Sequence, residues 1–219
     1  MIKMPRIWIF LLSSMILPAE RLNYSVNWAS GLSLGEAVLD SSQNGTWKFN
    51  LDLDVGVPGF VVRDQYRVTA NAAFCSAALD KNLSRGSRKG DEHIQFDQQK
   101  QIATRETTGG GKSTLYTSAC ARDPLTLLQF VRKELAEGRL APQQSVVFGA
   151  SYQVRFEYAG VQNLQIGSKS TEAERIQTTV KGPATEVTFD LFFARDAVRT
   201  PVMARIPSPL GAFVVELMR

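Results

Sequence analysis

Alternation of apolar and polar side chains is the strongest constraint on this chain. Tyr24, Val26 and Trp28 alternate with Asn23, Ser25 and Asn27. Trp47, Phe49, Leu51 and Leu53 alternate with Lys48, Asn50, Asp52 and Asp54. The pattern recurs at Tyr152–Tyr158, at Val187–Phe193, at Val198, Val202, Ala204 and Ile206, and at Phe213–Leu217. A period of two puts one face of each strand in oil and the other in water. That is how an antiparallel sheet with one buried side reads in sequence. Turn chemistry separates the runs. Asn44-Gly45 predicts a tight hairpin, and Gly31, Gly35, Pro58-Gly59, Gly182-Pro183 and Pro207-Ser208-Pro209 mark further breaks. About ten strands are expected on this rule.

One segment has the other period. Leu127, Leu128, Val131 and Leu135 share one arc of a helix, and Arg132, Lys133 and Glu137 fall elsewhere. Asp123 is placed to accept hydrogen bonds from the first turn, Pro124 suits the first helical position, and Gly138 is placed to end the helix. A lone amphipathic helix needs an apolar surface to cover. The predicted fold is therefore mainly β: a strongly curved antiparallel sheet or partial barrel with one amphipathic helix packed on its concave face.

The amino terminus reads as an address. Lys3 and Arg6 precede the apolar run from Ile7 to Leu12, and Met15-Ile16-Leu17 leads into Pro18-Ala19. This is the order of a secretory signal peptide over residues 1–19, with residues 20–219 as a single β-rich domain; the alternative is an uncleaved anchor. Such a chain would be periplasmic or extracellular, without a transmembrane span once cleaved. Cys75 and Cys120 are the two cysteines. An oxidising compartment favours their pairing, which would stabilise by about 3–4 kcal/mol in the chain-entropy picture. The alternative is two separate buried thiols.

The formal charge is +4, from 25 bases and 21 acids. Lys3 and Arg6 belong to the leader, and the remaining bases are scattered rather than striped. A nucleic-acid partner is not expected. Gly109-Gly110-Gly111-Lys112-Ser113 contains a fragment of a phosphate loop, but Glu106 occupies the position where that motif needs its first glycine, so a hairpin tip is the better reading. His93 is the single histidine. Ile94 and Phe96 take the apolar parity around it, which places His93 on the wet face and away from triad or zinc chemistry. Asp52 and Asp54 share a face, but the polar one, where paired carboxylates solubilise rather than hydrolyse. No cofactor or metal is implied, and the chain is expected to be non-catalytic. Asp64 stands out because it shares the apolar parity of Phe60, Val62, Tyr66 and Val68. A carboxylate there needs an arginine partner or a bulge, or serves as a polar contact inside a ligand cavity.

Four passages together resemble the bacterial exported family called domain of unknown function 3108. They are Leu22–Trp28 with Gly35-Glu36-Ala37, Val62-Arg63-Asp64-Gln65-Tyr66, Asp123-Pro124-Leu125-Thr126 with its helix, and Phe193–Val202 with Leu210-Gly211. The resemblance implies a cell-envelope location and a mainly antiparallel β fold, and it carries no activity or catalytic residues. The polar stretch from Ile166 to Thr179 departs from that pattern and puts a strand there in question.

The expected function is binding of an apolar or lipid-like ligand between sheet and helix, with Trp28, Trp47, Phe49, Asp64, Tyr66 and Phe130 as candidate lining residues. The alternative is an envelope scaffold or assembly factor that acts through contacts with another envelope protein, using an exposed sheet edge.

Overall fold

The computed structural model describes residues 19–208 and 211–218. The segment read as a signal peptide lies outside these, apart from Ala19. The elements in chain order are β1 (Glu20–Trp28), β2 (Ser33–Asn44), β3 (Thr46–Val57), β4 (Phe60–Ala70), β5 (Ser76–Arg85), β6 (Arg88–Asp97), β7 (Ile102–Thr107) and β8 (Lys112–Tyr116). Then come α1 (Pro124–Ala136), β9 (Gln144–Val147), β10 (Ser151–Ile166), β11 (Lys169–Lys181), β12 (Glu186–Ala194), β13 (Pro201–Ser208) and β14 (Gly211–Leu217).

All fourteen strands form one antiparallel sheet, ordered β8-β7-β6-β5-β4-β3-β2-β1-β14-β13-β12-β11-β10-β9. Every neighbour is joined by a hairpin except β1 and β14, the first and last strands, which pair with Tyr24 opposite Leu217 and Trp28 opposite Phe213. The expectation of about ten strands was low. Short or weakly apolar strands such as β8 and β9 have too few residues to show a period. Val198 is not in a strand either; it sits 57% exposed in the turn before β13.

The sheet curls. Phe148 follows β9, at one edge, yet its ring lies 5.7 Å from Tyr66 on β4 and 3.6 Å from the Lys81 ammonium on β5. In a flat sheet β9 and β5 would be roughly 48 Å apart at normal strand spacing. The ladder does not close, but residues 121–122 cross the seam. The Ala121 carbonyl accepts from Ser76 N–H on β5 at 3.0 Å, and the Arg122 carbonyl accepts from Val147 N–H on β9 at 2.9 Å.

Alternation decides what lies inside. Phe49 on β3, Val68 on β4, Leu79 on β5 and Ile94 on β6 are successive cross-strand neighbours and all are buried. The helix covers the concave face. Leu127, Val131 and Leu135 cluster with Val154, Phe156, Ile176 and Phe193, while Leu125 and Leu128 reach the cluster around Leu22, Tyr24 and Val26.

The helix is also tethered at both ends. Asp123 Oδ1 accepts from Leu125 N–H at 2.8 Å and Thr126 N–H at 3.1 Å, the expected cap. Cys75 and Cys120 form a disulfide between the β4–β5 turn and the segment leading into α1. Near its other end, Arg132 binds Glu20 at 2.6 and 2.8 Å and donates to the carbonyls of Val198 and Arg199. Gly138 follows with φ +73°, a left-handed stop that a side chain would strain.

The questioned stretch from Ile166 to Thr179 does form a strand, β11. Ala173 and Ile176 are both fully buried although three residues apart, so a single alternation does not run through it. The β10–β11 hairpin is irregular between Tyr158 and Val161, and its far tip reaches back to β14, where Gly167 N–H donates to Glu216 Oε1 at 3.3 Å.

Candidate ligand cavity

The two halves of the curled sheet are filled differently. On β3 to β7 the inward positions carry rings and ion pairs. Trp47 stacks between Phe49 and Phe74, with ring centroids 5.6 and 5.2 Å away. On β9 to β13 the inward residues are mostly aliphatic: Val146, Val154, Val180, Leu191 and Ile206, with Phe156 and Phe189. Several of these pack against the helix, Val146, Val154 and Phe156 among them, but they do not fill all the space beneath it. A cavity of about 560 Å³ remains between them and Leu127, Leu128 and Val131 of α1. That volume lies inside the range of roughly 300–1,000 Å³ typical of small-molecule sites.

The lining is almost wholly hydrocarbon. Leu51 and Phe148 bound it on the β3 side, and Tyr152 sits toward the β11–β12 turn. Thr178 is the exception. It is 2% exposed, it lines the cavity, and its hydroxyl has no hydrogen-bond partner. A buried hydroxyl without a partner costs free energy, so this is a place where a polar ligand atom would be welcome.

Phe148 separates the cavity from a buried charged cluster. Asp64, 1% exposed, accepts from Arg85 Nε at 2.9 Å and Nη2 at 2.6 Å, and from the Tyr66 hydroxyl at 3.0 Å. This is the arginine partner that an inward carboxylate requires. Burial, with the Asp64 charge and hydrogen bond, pushes the Tyr66 phenol up to about 12. Beside it, Lys81 Nζ lies 2.6 Å from Glu92 Oε1, and Arg105 Nη2 lies 2.6 Å from Glu92 Oε2. Burial pushes the Glu92 carboxyl up, but the hydrogen bonds and charges of Arg105 and Lys81 prevail and hold it below the usual carboxylate range. Burial lowers the Lys81 ammonium. Each acid of this cluster is paired with a base, and the pairs join β4, β5, β6 and β7.

None of the six residues proposed from sequence lines this cavity. Trp28 meets Phe213 edge to face at 4.4 Å. Phe49 is fully buried and Trp47 borders a groove beside Gln129 and Arg132. Asp64 and Tyr66 lie behind Phe148, and the Phe130 ring carries the Arg122 guanidinium at 3.9 Å. Large rings fill space; the void lies where side chains are short. The signal available in sequence was the run of inward valines, leucines and Thr178 opposite the helix arc.

His93 lies on the outer face, as its parity predicted, with Nδ1 2.6 Å from Asp80 and its side chain 44% exposed. Gly109 and Gly110 form the tip between β7 and β8, both with positive φ. Among the described residues no group of three or more His, Cys, Asp or Glu side chains is arranged to hold a metal. No described helix is long and apolar enough to cross a membrane.

Comparison with known proteins fits this architecture. A beta-barrel-like protein of domain of unknown function DUF1849 from Brucella abortus, known from its crystal structure, superposes with a TM-score of 0.65 at 9% identity, covering 93% of this chain and 97% of that one. That likeness shows the fold alone. No curated protein matches the chain. The family model described as protein of unknown function (DUF3108) matches residues 23–218, nearly all of the described strands and the helix between them, and the chain belongs to that family.

Proposed function

We propose that this protein is an exported, non-catalytic binder of an apolar or lipid-like ligand, held between α1 and the inner faces of β10 to β13. One observation carries the reading: a cavity of about 560 Å³ with hydrocarbon walls and a single unsatisfied hydroxyl, Thr178. Covering hydrocarbon walls with an apolar ligand is favourable by roughly 25 cal/mol per Å² removed from water. The Cys75–Cys120 disulfide fits an oxidising compartment outside the cytoplasm.

The test is binding of a fluorescent fatty acid to the purified protein and to Leu128→Trp, which projects an indole into the cavity from α1. Wild type should bind saturably and the variant at least about tenfold more weakly, with an unchanged circular dichroism spectrum. Native mass spectrometry of the gently purified protein should show a copurifying lipid. Equal binding by both proteins would overturn the assignment.

A further inference from the structure

A meander puts alternate turns at the same end of its sheet. The β1–β2, β3–β4 and β5–β6 turns are neighbours at the end opposite the disulfide. Residues 29–33, 55–62 and 85–90, which make these three tips, contain no acidic side chain. They contain Leu32, Val57, Phe60 and Val61, which are 61%, 45%, 50% and 41% exposed. They also contain Arg85, Arg88 and Lys89, all exposed. Arg85 is held by Asp64, whereas Arg88 and Lys89 have no carboxylate partner among the described residues.

The β3–β4 and β5–β6 tips are fixed to one another. Gly86 N–H donates to the Val61 carbonyl at 2.8 Å. The Phe60 ring lies so close to Gly86 that a Cβ there would come within 3.2 Å of two ring carbons. Between the two tips runs a groove of about 790 Å³, lined by Phe60, Leu83, Arg85, Arg88 and Lys89. The opposite end differs: its turns include Asp97, paired with Lys100, and Asp196.

An arc of exposed apolar side chains on separate tips, continued by unpaired cations and free of acids, matches a surface that is flat, apolar below and anionic above. We infer that this rim docks on an anionic lipid bilayer, with Leu32, Val57, Phe60 and Val61 entering the interface and Arg88 and Lys89 meeting headgroup phosphates. Docking does not require a cavity ligand. It would, however, bring the rim-side cavity residues Tyr152, Phe189 and Ile206 toward the membrane.

The test is flotation of protein purified from its native cells with vesicles of phosphatidylcholine alone or with an equal part of phosphatidylglycerol. The wild type should float with the anionic vesicles and be released by high salt. Arg88→Glu combined with Lys89→Glu should weaken this at least about tenfold, and Phe60→Ser should weaken it in both salts. All variants carry the same amino terminus, and thermal melts confirm folding. Leu128→Trp, which blocks the cavity, should float like wild type, so failure of the ligand reading and failure of this one are separable. Absence of flotation, equal flotation with neutral vesicles, no effect of the charge reversals, or binding to an envelope protein through this rim without binding to vesicles would each overturn the inference.

Discussion

The Ser76 hydroxyl bonds Asp123 twice: it donates to Oδ2 at 2.6 Å and accepts from the Asp123 backbone N–H at 2.8 Å. Asp123 is fully buried, and its carboxylate serves Ser76, Thr126 and two helix N–H groups at once. Gln98 completes the junction by donating to the Ser76 and Ala121 carbonyls and accepting from Ala121 N–H. The start of α1 is thereby fixed to β5, next to the disulfide. Asp123→Ala loses the cap and strands the Ser76 and Thr126 hydroxyls. It should cost about 2–4 kcal/mol in urea unfolding. Asp54→Ala, in an exposed pair with Arg63, should stay within about 0.5 kcal/mol. Comparable losses at the two sites would remove Asp123 from its role as anchor.

Asp64 and Arg85 form a pair with unequal exposure, 1% and 50% of the side chain. Their truncations should therefore differ. Arg85→Ala leaves a carboxylate buried with only the Tyr66 hydroxyl and Ser84 N–H to satisfy it, and should cost about 3–4 kcal/mol. Asp64→Ala leaves a guanidinium that water can reach. It should cost about 2 kcal/mol, mostly the lost acceptor for Tyr66 and Arg85. Chemical denaturation of both variants decides the order, and a larger loss for Asp64→Ala would contradict the asymmetry.

Both halves of this pair show how far a sequence carries. The parity of Phe60, Val62, Tyr66 and Val68 pointed Asp64 inward, with an outward bulge as the alternative, because alternation is a local property of a strand; the structure buries it. Its partner lies twenty-one residues on, across the β4–β5 register, and no local pattern marks Arg85 as inward. The helix was legible for the same local reasons: Asp123, Pro124 and Gly138 each act within one turn. The cavity was not. It depends on how much space the curl leaves between the short side chains of β10 to β13 and the helix where they are not in contact, which is set by curvature and by the residues 121–122 that span the seam. Of the candidates picked from sequence, Trp47, Phe49, Asp64 and Tyr66 lie in the filled half of the interior instead.

Tyr66 ties the charged cluster to alkaline pH. Its phenol sits at about 12 in the folded chain against 10.0 for a free tyrosine. The folded state thus keeps a proton that the unfolded state releases between those values. The stabilisation is complete below pH 10 and is lost as pH rises toward 12. Tyr24, pushed up by burial, acts in the same direction. Urea midpoints measured just below pH 10 and just below pH 12 should fall for wild type by an amount equivalent to roughly 1–2 kcal/mol more than for Tyr66→Phe. An equal fall in both proteins would place the Tyr66 proton outside the alkaline transition.

Thr178 gives the cavity a signature of opposite signs. Its hydroxyl is buried and unpartnered in the ligand-free protein, so Thr178→Val, nearly the same shape, removes a cost rather than a bond. The variant should be more stable by about 1 kcal/mol, a rise in melting temperature of about 2–4 °C for a chain of this size. A ligand that offers a polar atom to the hydroxyl would lose that contact, and affinity for the fluorescent fatty acid should fall about fivefold. Stability up and affinity down together are what a polar anchor inside a binding cavity produces. A residue that merely fills a core would show the same gain in stability but would leave ligand affinity unmoved. Differential scanning calorimetry and a binding titration on the same preparation separate the two.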